Sequence, residues 1–130
     1  MTYILLAEDD EIVGRVVTDA LSDAGHIVGH VSNGREAIMA MKRRRPKLVI
    51  LDQNMPEMNG RSVLRKMRVD RDLAMIPVMM LTAVSGKEDQ RISFYDGADH
   101  YMTKPFDPVE VIFWAEELMA MNIKRISALT

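Results

Sequence analysis

The sequence predicts an α/β fold in which five short strands alternate with five helices around one parallel sheet. Apolar runs such as KLVILD (47–52) and IPVMMLT (76–82) are too short for helices, and stretches of helical spacing separate them. These runs are continuously apolar rather than alternating, as expected of strands that crossover helices cover on both faces.

YILLA (3–7) is the first strand. From Asp10 to Ala24 apolar residues fall at 12, 13, 16, 17, 20, 21 and 24, one face of a helix, and Gly25 is its natural stop. HIVGHV (26–31) is the second strand. Asn33, with Glu36 three residues on, has the spacing of a capping box and opens a helix to about Arg44, with Pro46 just beyond. The run Lys42-Arg43-Arg44-Arg45 then lies at a helix C-terminus, where cations complement the dipole, and is read that way rather than as a binding patch. KLVILD is the third strand and Arg61–Asp70 the third helix. IPVMMLT is the fourth strand, and Ser85–Asp96 a weakly amphipathic helix stopped by Gly97. DHYMT (99–103) is the fifth strand. Asp107-Pro108 is a cap followed by proline at the first helical position, and the last helix runs to about Met121.

A chain of 130 residues suits one domain with a sizeable core. Its 48% apolar and 28% charged residues are ordinary for a globular protein, and a net charge of −2 leaves no electrostatic footprint for nucleic acid. With no cysteine, disulfides and thiolate chemistry are excluded. No apolar run approaches the roughly 18 residues of a membrane span, and no signal peptide opens the chain. A cytoplasmic protein without direct nucleic-acid or membrane contacts is expected. The 12 methionines fall mostly at core-like positions and read as gap-fillers.

Ligands of parallel α/β sheets bind beyond the carboxyl ends of the strands. Those ends carry Glu8-Asp9-Asp10, Asp52, Thr82-Ala83 and Thr103-Lys104-Pro105. Parallel strands put all four on one edge, so several carboxylates face one lysine and one hydroxyl. Clustered carboxylates repel one another unless a cation compensates. Oxygen donors without Cys or a nearby His suit Mg²⁺, which leaves room for phosphate oxygens. Lys adds a positive charge for a phosphoryl oxygen, and Asp is an established phosphoryl acceptor.

The segments ILLAEDDE, ILDQNMPEMNG, MMLTA and GADHYMTKPF together resemble the receiver domain of two-component response regulators, over about residues 2–121. The resemblance implies the strand order 2-1-3-4-5, with a receiver domain at 1–122 and a C-terminal tail at 123–130. It implies that Asp52 accepts the phosphoryl group. Mg²⁺ would be held by Asp9 directly, by Glu8 through water, by Asp52 and by the backbone carbonyl of Asn54. Lys104 would pair with Asp52 and later with a phosphoryl oxygen, and the Lys104-Pro105 bond would be cis. Asp10 or Glu11 would cap the first helix. Thr82 and Tyr101 would form the switch pair: the hydroxyl moves to the phosphoryl group and the aromatic turns inward. The implied partners are a sensor histidine kinase or histidine phosphotransfer protein, and a downstream effector docking on the face of helix 4, strand 5 and helix 5. The only catalysis expected is the protein's own phosphorylation and dephosphorylation.

Three positions depart from, or specialise, that pattern. Val84 is apolar where the family controls water access, so a short-lived phosphoform is not expected. His100 and Trp114 replace the acid and arginine that pair across dimers of receivers belonging to transcription factors. A monomer or weak dimer is therefore expected, with a partner docking on a more aromatic face; Trp114 is read either as core or as facing that partner. Two other readings stay open at this point: a receiver fragment of a larger multi-domain regulator, and a Mg²⁺-dependent phosphohydrolase. A receiver that binds without phosphorylation usually lacks the acceptor, an acid or the lysine, and all are present here.

Overall fold

Each continuous apolar run forms a strand, and the helical-period stretches between them cover both sides of the sheet. The computed structural model describes residues 2–129. Along the chain come β1 (Tyr3–Ala7), α1 (Glu11–Asp23), β2 (Ile27–Val31), α2 (Gly34–Arg43) and β3 (Leu48–Leu51). They are followed by α3 (Gly60–Val69), β4 (Val78–Thr82), α4 (Lys87–Tyr95), β5 (His100–Thr103) and α5 (Pro108–Ala128). All strand pairings are parallel, in the order β2-β1-β3-β4-β5.

Because side chains alternate across a strand, each central strand feeds two cores. Leu5, Ala7, Val49, Leu51, Val78 and Met80 face α2 and α3, while Ile4, Leu6, Leu48, Ile50, Met79 and Leu81 face α1 and α5. Met41, Met67, Met79, Met80, Met102 and Met119 are buried, so methionine does fill core space here.

The caps follow the local chemistry. Asp10 accepts from Ile12 N and Val13 N, Asn33 from Glu36 N, Asn59 from Ser62 N and Asp107 from Val109 N. Each helix that starts at one of these caps begins close to the sequence expectation. α4 is different. It starts at Lys87 rather than Ser85, because Gly86 before it has a φ of 121°, outside the range that L side chains readily adopt. α5 runs to Ala128, past the expected end near Met121, since Asn122–Ala128 contains neither Gly nor Pro to stop it.

Candidate functional site

The register of β1 with β3 sets Ala7 beside Leu51, so the residues just past both strands meet at the same edge. Asp52 N–H donates to the Ala7 carbonyl at 3.0 Å, which fixes the end of β3. There the carboxylates of Glu8, Asp9 and Asp52 each place an oxygen within 4.8 Å of the others. Glu8 and Asp52 are buried, whereas Asp9 opens to solvent. Asp10 is committed elsewhere, as the α1 cap, and its backbone N–H donates to Glu8 Oε2 at 3.1 Å.

Lys104 enters from the end of β5. Its Nζ lies 2.6 Å from Glu8 Oε1 and 3.4 Å from Asp52 Oδ2, so the ammonium bridges both acids and sits closer to Glu8. The sequence reading paired it with Asp52 alone. The Lys104 N–H also donates to the Thr82 carbonyl at 2.9 Å, tying the two loops, and the Lys104-Pro105 bond is cis. Burial pushes the Glu8 carboxyl up to about 7, against the opposing pull of the Lys104 hydrogen bond. Burial works against the Lys104 charge too, but the Glu8 hydrogen bond and the charges of Asp52 and Glu8 outweigh it and the ammonium is held more firmly. Three converging carboxylates carry a net negative charge that one lysine does not cancel. All their donors are oxygens, which fits a hard divalent ion such as Mg²⁺.

Asn54 stands exposed in the loop after β3, two residues beyond Asp52. Thr82 ends β4 fully buried, its Oγ1 accepting from Val84 N at 3.2 Å. Tyr101 is buried in the α2–α3 side core, and its hydroxyl reaches the Val84 carbonyl at 2.6 Å and the Asp89 carboxylate. Burial first, and then the Asp89 hydrogen bond, hold that phenol well above its usual range. On the outer side of β5, His100 stacks on Trp114 with ring centroids 4.1 Å apart and planes 20° apart. Trp114 is half-buried and packs against the α1–α5 core, so it is both core and rim. Burial lowers the His100 pKa, favouring the neutral ring in the stack.

Other residues escaped the sequence reading. Gln53 is buried and accepts from Arg61 N at 2.9 Å, bracing the loop after β3 against α3. Asp89 faces the Arg61 guanidinium as well as Tyr101. His30 Nε2 lies 2.7 Å from the Glu8 carbonyl oxygen. Asp89 and His30 belong to no quoted motif, and Gln53, although inside ILDQNMPEMNG, takes its role from a contact with the start of α3 that the segment does not reveal.

A family model described as the response regulator receiver domain matches residues 4–114. The chain is 34% identical over 116 residues to the probable transcriptional regulatory protein TcrX of Mycobacterium tuberculosis, covering 89% of this chain and 49% of that one. It is 36% identical over 109 residues to the DNA-binding response regulator MtrA of Mycolicibacterium smegmatis, covering 84% of this chain and 46% of that one. It thus spans about half the length of these relatives. Among solved structures, the signal receiver domain of a signal transduction histidine kinase from Syntrophus aciditrophicus superposes with a TM-score of 0.86 at 35% identity, covering 92% of this chain and 91% of that one. The chemotaxis response regulator CheY4 of Vibrio cholerae gives 0.85 at 28% identity, covering 91% and 98%. With the same fold, the acid-lysine edge and these matches in agreement, the chain belongs to the response regulator receiver domain family.

Proposed function

We propose that the protein is a phosphorylation-activated signalling switch that takes a phosphoryl group onto Asp52 and changes its α4-β5-α5 face to control a partner. The observation that carries this reading is the convergence of Glu8, Asp9 and Asp52 within 4.8 Å, with Lys104 bridging Glu8 and Asp52. The donor would be the phosphohistidine of a sensor histidine kinase or of a histidine phosphotransfer protein. The effector would meet the face that carries Tyr101, His100 and Trp114. Residues 1–122 would form the receiver unit, and 123–130 a C-terminal segment whose described part continues α5 to Ala128. Among the described residues no helix is long and apolar enough to cross a membrane, which suits a cytoplasmic role.

The transfer breaks the donor's nitrogen–phosphorus bond as an Asp52 carboxylate oxygen forms a new bond to phosphorus. The electron pair of the breaking bond leaves with the donor imidazole. The product is an aspartyl phosphate. The transition state is loose, so positioning and cationic charge dominate over covalent assistance. Mg²⁺, when bound by Asp9, Asp52, the Asn54 carbonyl and, through water, Glu8, supplies charge neutralisation for the phosphoryl oxygens. Lys104 is already placed between the acids to pair with one of those oxygens as charge grows there. The Thr82 hydroxyl hydrogen-bonds the phosphoryl group once formed, releasing its contact with Val84 N.

Incubation with acetyl phosphate, followed by intact mass, tests this directly. The expected result is a single phosphoryl adduct that needs Mg²⁺ and is absent from Asp52→Ala. No adduct on the wild type, or one that survives in Asp52→Ala, rules the reading out.

A further inference from the structure

Tyr101 is anchored from a side that the acid pocket does not supply. Besides the Val84 carbonyl, its hydroxyl meets the carboxylate of Asp89, from the first turn of α4. The other oxygen of that carboxylate, Oδ1, faces the guanidinium of Arg61 on α3 at 3.6 Å. Arg61 N–H in turn donates to Gln53 Oε1 at 2.9 Å, and Gln53 directly follows Asp52. Arg61 is thus tied at both ends, its guanidinium to Asp89 and its backbone N–H to Gln53, so the Tyr101–Asp89 contact is connected to the loop after β3 through the body of Arg61 and not through Thr82.

The partners are largely withdrawn from water, with side-chain exposures of 15% for Asp89 and 25% for Arg61. Interactions that involve an ionised partner under such conditions are stronger than neutral ones in water. If the Tyr101 ring swung outward, the single hydroxyl proton that Asp89 and the Val84 carbonyl compete for would be withdrawn from both, so the inward position is the favoured one. Nor is Asp89 needed as a helix cap. It lies inside α4, whose N-cap is Gly86 with no side-chain cap bond.

We propose that Asp89, held by Arg61, is a positioning residue that clamps Tyr101 inward before any phosphoryl group arrives, so that the β5 face is preset. The clamp deepens the proposed function, because it rests on that reading for what the inward position means to a partner. It also carries a consequence by linkage. A ligand at Asp52 that favours inward Tyr101 binds more tightly when the clamp already biases the equilibrium that way.

Protein labelled with 3-fluorotyrosine reports ring exposure through the difference in ¹⁹F shift between H₂O and D₂O, with Tyr95, 86% exposed, as the internal reference. Without phosphodonor, wild-type Tyr101 is expected to give a small difference. In Asp89→Ala, and less fully in Arg61→Met, it should rise toward that of Tyr95, with circular dichroism confirming the fold. Unchanged exposure in the folded variants overturns the clamp. In parallel, Mg²⁺-dependent binding of beryllofluoride, a phosphoryl analogue, is expected to weaken about fivefold or more in Asp89→Ala. Equal affinity for the analogue in wild type and variant overturns the presetting. A wild type that fails to bind the analogue sinks the Asp52 reading instead, and the fluorine measurement still decides the clamp.

Discussion

At the scale of single residues, Glu8 is the carboxylate whose ionisation the pocket displaces toward neutral pH. Its carboxyl is displaced from an ordinary 4.5 to about 7, because burial penalises the ionised form more than Lys104 compensates. The sign follows from the direction. A folded-state value above the unfolded one means that Glu8's contribution to stability is full below pH 4.5 and is lost as pH rises through about 7. A Mg²⁺ ion held at this cluster as proposed would favour the ionised acid, so its binding and Glu8 protonation would compete. Mg²⁺ affinity, read as the shift in unfolding temperature on adding the ion, is therefore expected to climb across that interval and level off above it. Glu8→Gln, which cannot ionise, should flatten the climb. A wild-type profile already flat from pH 4.5 to 7 would remove Glu8 from the metal site. Lys104 shapes the same balance from the other side, since its ammonium already occupies part of the space where a cation is wanted.

At the scale of elements, the loop between β3 and α3 decides whether Asp52 stands where it should. Gly60 opens α3, and a Cβ built there would lie 2.3 Å from the Asp52 carbonyl oxygen and 3.0 Å from its carbonyl carbon. Both are backbone atoms, so the loop itself must shift. Gly60→Ala is expected to lose about 1–3 kcal/mol of stability by overpacking. It should also slow phosphorylation by at least about tenfold, because small displacements of reacting groups are expensive. The control is Asn59→Ala, which removes the α3 cap on Ser62 N and costs about 1 kcal/mol but adds no atom against Asp52. If both variants slow the reaction alike, loss of helix stability rather than displacement of Asp52 is the cause. Elements of this kind show what a sequence makes legible. The strands were readable because VIL or VMML can only be buried, and the helix starts because Asp10, Asn33 and Asp107 carry side chains that cap. The end of α5 was not, since nothing at Met121 opposes continuation and helix propensity alone carries the chain to Ala128. In the site, Asp52, Glu8 and Lys104 were legible as strand-end residues of a parallel sheet. Their exact pairing was not, and neither were the Asp89–Arg61 contact or the His100–Trp114 stack, because partner choice depends on how α3, α4 and α5 settle around β5.

For the whole molecule, stability is unevenly distributed between the enclosed central strands and α4. β1, β3 and β4 are enclosed on both faces, with Ile4, Ala7, Leu48, Val49, Leu51 and Val78 fully buried. In α4 the only buried residue among those described is Ser93, whose Oγ has no hydrogen-bond partner among the described residues. Its ties to α3 are largely charged: Arg61 to Asp89 at 3.6 Å and Arg65 to Asp96 at 3.1 Å. Apolar enclosure resists opening regardless of ionic strength, whereas an ion pair with an exposed partner, such as Arg65–Asp96, weakens as salt screens it, and the more enclosed Arg61–Asp89 pair weakens less. Native-state hydrogen exchange is therefore expected to show α4 amides opening at a free energy well below that of β1, β3 and β4, which should exchange only through global unfolding. Raising the salt to about 1 M, where the screening length falls to about 3 Å, should lower the protection of α4 further and leave the central strands in step with global stability. α4 amides that matched β3 and ignored salt would mean that α4 is fixed by packing. In that case Thr82 and Tyr101 would have to transmit phosphorylation through the ends of β4 and β5 without α4. Salt-dependent opening confined to α4 would instead identify it as the part whose position a phosphoryl group at Asp52 can reset at little cost to the rest of the fold.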